Sequence, residues 1–476
     1  MSAMKVMNTS VSSDGWTVSG VVNDDGSCEY RGLRFARAHR FSDPVDEPLV
    51  GVVDASEWGQ MCPQTPGFLE AMFGYDADSA GEDCLHLNVF VPPGASADSK
   101  LPVLVWIHGG AYLNGAGSLA WYHGSRLAAR GAVVVTVNYR LGALGFLGGD
   151  NFGTLDQISA LRWVASHIAA FGGDPSNVTI FGESAGGSAV ISLMAAPGAK
   201  GLFHRVWALS PSIGQLRTLE RAETLLAEYL SLLSCDSLAE AATKSVEELL
   251  AAQNTLITRP SAGYDFFSPA GGGSGLPHDI LGEAARSGIP LVLGTNRDEN
   301  KLFSAFNAEF TSKTEADWIA TTEATFGARA EEARSVYARL RTGEPWELIS
   351  AVTTDVGFRQ HARRLAEARV AEGTPTWMYW FTFASTSFGG RFGCCHALDI
   401  PFVFDMLDAP GAEALTGDSP ERGGVAERFG HELVSLATHG HPSWAQYDAS
   451  TRSTLVIDTT TTLVDDPESE IRALFS

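Results

Sequence analysis

The length, composition and charge of the chain exclude several classes of protein. Its 476 residues, 45% of them hydrophobic and 19% charged, can bury a large core, which argues against a disordered protein. The 56 acidic and 33 basic residues give a formal net charge of -23, and a field of that sign repels nucleic acid and anionic lipid. We therefore expect a globular protein that acts on a small molecule and binds no nucleic acid.

The N-terminal sequence and the cysteines bear on the cellular compartment. Residues 1–16 contain no apolar stretch of the secretory kind, and a run of about eighteen apolar residues, enough to span a membrane, occurs nowhere. We expect a cytoplasmic monomer or weak homo-oligomer without membrane insertion, although export by another route stays open. The six cysteines form no CxxC pair, and we predict no metal and no cofactor.

Six apolar runs predict the strands of a buried sheet. They are hydrophobic almost throughout, which is typical of parallel strands covered on both faces. The runs occupy residues 101–107, 132–139, 177–181, 205–209, 289–294 and 375–383. Between two of them, the apolar residues of 155–171 recur at spacings of three and four, which predicts a helix. The alternation predicts an α/β fold with a large, mostly parallel central sheet and helices on both faces.

Two later segments, at about 215–260 and 305–373, are rich in Ala, Leu and Glu and are predicted to be helical. They separate strands without adding many, so we expect a single domain over residues 1–476 in which these segments are helical insertions. The loops at 64–80 and 264–276 could cover a site. Apolar residues of the first loop either line an entrance or pack the loop against the body: Phe68, Met72, Phe73 and Tyr75.

One serine, Ser184, stands in the stretch GESAG with glycines two positions before and after it. A strand pattern precedes it and a helix pattern follows it. Small flanking residues permit the sharp strand-to-helix turn of a nucleophile elbow, which projects the hydroxyl. The alternative is an ordinary glycine-rich bend, but the strand-to-helix setting favours a nucleophile.

A serine nucleophile needs a base and an orienting acid, and on this type of fold both follow the serine in the chain, the acid first. The histidines after Ser184 in loop-like settings are His396, His439 and His441. The candidate acids are Asp298 and Glu299, directly after the strand at 289–294, with Asp399 and Asp405 as rivals. Spacing alone does not choose among them.

The loop at 106–117, WIHGGAYLNGAG, is a candidate oxyanion hole. A tetrahedral intermediate needs backbone N–H donors from a loop free of bulky side chains, and this loop follows a predicted strand. The alternative is an ordinary glycine turn. Its place upstream of the elbow favours the oxyanion hole.

Several longer stretches of the chain occur in a characteristic order. They are GEDCLHLNVFVP (81–92), WIHGGAYLNGAGS (106–118), NYRLGALGFL (138–147), the stretch 153–190 around GESAG, GTNRDEN (294–300) and HALDIPFVFD (396–405). Together they resemble the type-B carboxylesterase/lipase family of cholinesterase-like α/β hydrolases, and within it the bacterial p-nitrobenzyl esterases. The resemblance implies an α/β-hydrolase fold with helical insertions over the active site. It also implies a serine carboxylic-ester hydrolase that acts on small to medium, apolar or aromatic esters through an acyl-enzyme.

The resemblance assigns roles to individual residues. It implies that Ser184 is the nucleophile, Glu299 the triad acid and His396 the general base. The family's oxyanion-hole positions fall on Gly110, Ala111 and Ala185. Ala111 replaces a third glycine found in cholinesterases, and this puts acceptance of bulky tertiary-alcohol esters in doubt.

The resemblance also implies scaffold contacts. Cys62 and Cys84 match the family's first disulfide and are candidates for that bridge. The family's two structural ion pairs would be Arg40 with Glu82 and Arg140 with Asp174. Ser210 aligns with a second serine near the family's active site, but Pro211 follows it where glycine is usual.

Three alternatives stay open. The same machinery could hydrolyse amides, carbamates or lactones, and the same fold serves non-catalytic binding or adhesion proteins that lack the nucleophile. Cys394 and Cys395 directly precede His396, yet chain neighbours rarely reach nucleophile-to-base geometry, so we predict thiols that are buried or merely nearby and are not the nucleophile.

Overall fold

A central sheet organises the chain. The computed structural model describes residues 7–67, 69, 77–259 and 267–476, so Phe68, Met72, Phe73 and Tyr75 lie outside the described residues. The strands of the sheet are β1 Met7–Ser13, β2 Trp16–Val22, β3 Cys28–Arg34, β4 Gly51–Asp54, β5 His86–Val91, β6 Leu101–Ile107, β7 Val133–Val137, β8 Gly173–Glu183, β9 Arg205–Leu209, β10 Leu291–Asn296, β11 Thr376–Phe381, β12 Ser453–Ile457 and β13 Thr462–Asp465.

The sheet has a parallel centre and antiparallel edges. Its order is β1-β2-β3-β5-β7-β6-β8-β9-β10-β11-β12-β13, with β4 paired to β2. All neighbours from β7 to β12 run parallel, with Phe181 of β8 opposite Trp106 of β6 and Trp207 of β9. Because the carboxyl ends of parallel strands meet at one edge, the loops after β6, β8, β10 and β11 come together there.

The six strands predicted from apolar runs are confirmed. The segments 101–107 and 205–209 have the predicted bounds, and the others differ at their ends or, for β8, extend further. The antiparallel strands at both edges were not predicted. In β2, for example, buried Trp16, Val18 and Gly20 alternate with partly exposed residues, so no continuous apolar run marks the strand.

Helices cover both faces of the sheet. The α-helices of the described residues are α1 Ser125–Ala128, α2 Gly142–Phe146, α3 Phe152–His167, α4 Ala185–Ala195, α5 Leu219–Leu233, α6 Leu238–Ala241, α7 Val246–Ile257, α8 Ile280–Arg286, α9 Lys301–Ser304, α10 Ala308–Thr311, α11 Glu315–Phe326, α12 Ala330–Leu340, α13 Pro345–Thr354, α14 Gln360–Ala371, α15 Ser387–Gly390, α16 Asp399–Val403, α17 Ala412–Thr416, α18 Arg422–His439 and α19 Ser469–Leu474. Among them, none combines the length and the apolar character needed to cross a membrane.

The two faces of the sheet belong to separate cores. Val103, Val105 and Ile107 of β6 lie in one core, whereas Leu104 and Trp106 lie in the other. Successive side chains of a strand point to opposite faces, so a strand that is apolar at every position must be buried on both sides. This is the physical reason why the central strands could be predicted from the sequence.

One of the two implied ion pairs is present and the other is wrong. The Arg40 guanidinium lies 2.5 Å from the Glu82 carboxylate. Arg140 pairs instead with the fully buried Asp156 of α3, at 2.7 Å. Asp174 accepts hydrogen bonds from the backbone N–H and hydroxyl of Ser176, two residues further along the chain. A buried guanidinium needs a buried partner, which α3 supplies and the start of β8 does not.

The structure brings Cys62 and Cys84 together as two buried free thiols. A hydrogen bond between the Cys84 thiol and the Cys62 sulfur, together with burial, holds the pKa of Cys84 well above its usual range. The pairing partners implied by the resemblance are therefore neighbours in the fold, and the disulfide between them stays a prediction.

Candidate active site

Ser184 stands at the sharp turn between β8 and α4. Its backbone has a φ of 57° and a ψ of -119°, outside both the helical and the extended regions. The flanking glycines are needed for close approach: a Cβ on Gly182 would lie 2.5 Å from the backbone of Gly186, and a Cβ on Gly186 would collide with the carbonyl of Ile107. The backbone N–H of Ser184 donates to the Leu209 carbonyl of β9 at 2.9 Å. The turn therefore has the form of a nucleophile elbow, as the sequence predicts.

His396 and Glu299 form a buried pair at the carboxyl ends of two neighbouring strands. Glu299 follows β10 and His396 follows β11, and the distance from His396 Nδ1 to Glu299 Oε2 is 2.6 Å. The other carboxylate oxygen, Oε1, accepts the backbone N–H of Asn296 at 2.7 Å. The Asn296 amide also donates to the Cys395 carbonyl at 2.8 Å, which ties the two loops to each other.

The second ring nitrogen of His396 faces a residue that sequence reasoning missed. Its Nε2 lies 3.1 Å from Oε1 of Glu183, the residue directly before Ser184. The imidazole is thereby placed beside the elbow, with a carboxylate on each nitrogen. Among the hydrogen bonds of the described residues, none joins the Ser184 hydroxyl to His396, and catalytic contacts often shorten only when substrate binds. The signal available for Glu183 was its position inside GESAG.

Burial and charge act on these groups in opposite directions. Burial lowers the pKa of His396, but the carboxylates of Glu183 and Glu299 outweigh it and raise that pKa to about 9. Burial raises the pKa of Glu183 to about 8, and burial together with the Glu299 charge raises the pKa of Asp399 to about 7. Burial and close charges thus raise all three pKa values, and perturbed pKa values of this kind cluster at functional sites.

The loop after β6 lies against the elbow. A Cβ added to Gly109 would lie 3.2 Å from the Cβ of Ser184. The next three residues all have positive φ: Gly110 at 98°, Ala111 at 55° and Tyr112 at 58°. Ala185 is the first residue of α4, so its backbone N–H has no partner within the helix. Backbone N–H groups from two segments are thus available beside Ser184 for a developing anion.

Aromatic rings flank the imidazole. The ring centroid of Phe358 lies 4.7 Å from that of His396, and the centroid of Phe303 lies 5.5 Å from it. Phe303 is half exposed. The imidazole of His396 is therefore packed between aromatic rings, one of which is half exposed.

The rival candidates lie elsewhere or have other partners. Asp298 pairs with Arg297 at 3.0 Å, and Asp405 pairs with Arg130 at 3.0 Å. His439 ends α18, and the Nδ1 of His441 contacts the adjacent Pro442 carbonyl. None of the contacts named for these residues involves the turn that carries Ser184.

Cys394, Cys395 and Ser210 are buried and are therefore not accessible to a substrate. Cys394 and Cys395 are fully buried, and burial raises the pKa of both thiols well above the usual range. The Cys394 thiol donates to the Phe381 carbonyl. Ser210 is buried with its backbone N–H on the Gly294 carbonyl at 2.9 Å. In the described part of the chain, no group of three or more His, Cys, Asp or Glu side chains is arranged for a metal ion.

The parallel sheet, the elbow and the acid-histidine pair after it define the class of the α/β hydrolases. The chain belongs to the Carboxylesterase family, whose sequence profile matches residues 11–472. It is thus a carboxylic-ester hydrolase, and the predicted family, fold class and enzyme class are confirmed.

Two curated relatives match most of the chain. The para-nitrobenzyl esterase of Bacillus subtilis (strain 168) is 37% identical over 478 residues, which cover 94% of this chain and 95% of the relative. The phenmedipham hydrolase of Pseudarthrobacter oxydans is 31% identical over 470 residues, which cover 91% of this chain and 93% of the relative.

Solved structures of esterases have the same fold as this chain. A thermophilic PNB esterase superposes with a TM-score of 0.85 at 34% identity, covering 99% of this chain and 100% of that one. A carboxylesterase of Geobacillus stearothermophilus gives a TM-score of 0.86 at 32% identity, covering 98% and 100%.

Proposed function

We propose that Ser184 is the nucleophile of ester hydrolysis, His396 its general base and Glu299 the acid that orients the base. The observation that carries this proposal is the position of His396: its Nδ1 is 2.6 Å from Glu299, and its Nε2 lies beside the elbow that presents Ser184. A buried carboxylate on Nδ1 favours the tautomer with its proton on Nδ1, in which Nε2 is the nitrogen that accepts a proton.

The proposed reaction proceeds in two halves. His396 Nε2 takes the hydroxyl proton as Ser184 Oγ attacks the ester carbonyl carbon, and the backbone N–H groups of Gly110, Ala111 and Ala185 stabilise the tetrahedral oxyanion. Collapse breaks the bond to the alcohol, which leaves with the proton from His396. Water, deprotonated by His396, then attacks the acyl-enzyme and releases the acid and free Ser184.

We propose small to medium, uncharged apolar or aromatic esters as substrates. Phe303 and Phe358 flank His396 and offer apolar surface to either side of such an ester. A net charge of -23 disfavours substrates with a negative charge. A para-nitrobenzyl esterase among the relatives supports an aromatic ester.

The test is Ser184→Ala with p-nitrophenyl acetate and butyrate. Loss of the nucleophile should lower kcat by several powers of ten while the fold stays intact, because the triad acts as a unit. A fluorophosphonate probe should label the parent chain and not the variant. Ser192→Ala is the control, since Ser192 lies on α4, the helix that follows Ser184, and its buried hydroxyl donates to the Ser188 carbonyl. If Ser184→Ala keeps most of its rate, the assignment is wrong.

We further propose a cytoplasmic, single-domain monomer or weak homo-oligomer, with the segments at about 215–260 and 305–373 as helical insertions over the sheet. A cytoplasmic location predicts that the buried pair Cys62 and Cys84 is reduced in the native protein, since oxidising compartments favour disulfides. Light scattering and thiol titration of the native protein test this. A tight oligomer or a fully oxidised pair would contradict it.

A further inference from the structure

The loop after β6 has a shape that its own residues do not favour. Ala111 and Tyr112 are consecutive non-glycine residues with φ of 55° and 58°, and even one such residue is uncommon. Inside the loop, the backbone N–H groups of Leu113 and Asn114 both donate to the Gly110 carbonyl, at 2.9 and 3.1 Å. These bonds close the turn but do not fix its place relative to Ser184. Contacts from outside the loop must do that.

Gln64 makes such a contact at the far end of the turn. Its Oε1 accepts the backbone N–H of Gly115 at 2.7 Å, and its Nε2 donates to the Gly115 carbonyl at 3.0 Å. One side-chain amide thus satisfies both backbone groups of one residue, as a neighbouring strand would. The same Nε2 donates to the Cys62 carbonyl at 3.0 Å. Gln64 is buried, so these bonds are shielded from water.

The segment that carries Gln64 is itself fixed to the sheet. The Asn138 amide, just after β7, donates to the Gln60 carbonyl at 2.9 Å. The backbone N–H of Leu141 donates to the Cys62 thiol at 3.3 Å. Gln64 therefore connects the loop to a rigid part of the fold.

We infer that Gln64 is a positioning residue for the oxyanion hole. By fixing Gly115 it sets the conformation of the turn at 110–115, and with it the place of the Gly110 and Ala111 amides beside Ser184. This inference rests on the proposed function, because it supposes that those amides stabilise the oxyanion. Gln64 touches no reacting atom, so its effect appears only through the amides it positions.

The first test is Gln64→Met, which keeps the approximate volume and removes the hydrogen bonds of the side-chain amide to Gly115 and Cys62. The amides act in the transition state, so kcat should fall about ten- to a hundredfold with KM changed by less than about threefold. Affinity for a trifluoromethyl ketone, which forms an oxyanion on the nucleophile, should fall by the same factor as kcat/KM. A purely structural role would lower stability without this parallel loss.

The matched control is Asn151→Leu. Asn151 is a buried amide whose Oδ1 accepts the backbone N–H of Ala270 at 2.8 Å and whose Nδ2 donates to the Ala270 carbonyl at 3.0 Å. It holds both backbone groups of one residue, as Gln64 does, but on a segment outside the oxyanion turn. Its variant should keep the parent's kcat and inhibitor affinity even if its melting temperature falls.

The second test is Gln64→Glu. A protonated carboxyl group can accept from and donate to Gly115 as the amide does, whereas a carboxylate cannot donate. The ratio of the variant's kcat to the parent's should therefore rise as the pH falls through the pKa of the new carboxyl group.

A folded Gln64→Met variant with the parent's kcat and inhibitor affinity would overturn the inference. If that variant does not fold, the Gln64→Glu ratio decides, and a ratio independent of pH overturns it. A parent chain that neither hydrolyses esters nor reacts with a fluorophosphonate would overturn the proposed function, and this inference with it.

Discussion

At the scale of single residues, Ser184 occupies a backbone conformation that costs about 1 to 3 kcal/mol for a residue other than glycine. The cost is offset by its surroundings, since its N–H binds Leu209 and its carbonyl accepts the N–H of Ser188 in α4. The conformation sets the hydroxyl above the turn. Ser184 therefore differs from a serine in a flexible glycine bend, which would have no such fixed partners.

The effect of Glu183 on the pKa of His396 can be measured directly. Replacing it with Gln removes one of the two carboxylates that raise the pKa of His396. With fewer negative neighbours the imidazolium loses its proton at lower pH, so the acid limb of the kcat/KM profile should move down by up to about one pH unit. The pH dependence of p-nitrophenyl butyrate hydrolysis measures this shift.

The control for Glu183→Gln is Glu367→Gln. This change removes a half-exposed carboxylate of α14 that pairs with Arg452. Its pH profile should match the parent's. An acid limb that stays in place, or moves to higher pH, in Glu183→Gln would show that this carboxylate does not act on His396.

The choice of triad residues shows what could be predicted from the sequence at this scale. The residues alone left His396, His439 and His441 equal, and only the family resemblance separated them. The predicted partner of Arg140 was wrong because a motif gives the position of a charged residue in the chain but does not show which buried carboxylate lies next to it. The position of Glu183 inside GESAG marked it as a neighbour of the nucleophile, but only the structure shows that its side chain reaches His396.

At the scale of elements, a π-helical turn over Asp355–Arg359 joins α13 to α14 and carries Phe358. Such turns are frequent at functional sites because the extra residue redirects side chains. Here Arg359 fixes the turn from behind: its guanidinium lies 2.5 Å from Glu468 and 4.1 Å from the ring centre of Trp380. The ring of Phe358 is thereby held against His396.

Phe358→Ala should therefore alter substrate preference. A ring-to-ring contact contributes about 0.5 to 1.5 kcal/mol beyond area, so kcat/KM for benzyl or benzoate esters should fall about three- to tenfold. Ethyl acetate, which offers no ring, should lose less. Val356→Ala, an exposed neighbour in the same turn, is the control. An equal loss on both classes of ester would mean that Phe358 supports the site without contacting substrate.

At the scale of the whole molecule, the parallel centre of the fold could be predicted and its edges could not. Central strands such as β6 are buried on both faces and so are apolar at nearly every position. The edge strands β1 and β13 have polar, partly exposed sequences that only pairing with a neighbour makes extended. Their prediction would need the tertiary structure itself.

The acidic surface should steer charged substrates. With a net charge of -23, an ester bearing a quaternary ammonium should reach the site faster than its carboxylate counterpart at low salt. Raising NaCl from about 0.01 M to about 0.1 M shortens the screening length from about 30 Å to about 10 Å. The ratio of the two kcat/KM values should therefore fall. A ratio that salt leaves unchanged would mean that local groups alone set charge preference.

The carboxyl edge of the sheet gathers groups that are far apart in the chain, from Gly110 in the loop after β6 to His396 after β11. No contiguous fragment holds all of them without including the parallel strands between. Turnover therefore reports whether these distant segments of the chain have come together. On dilution from denaturant, helical circular dichroism can return from local segments, but hydrolysis can return only when the last of these strands has docked.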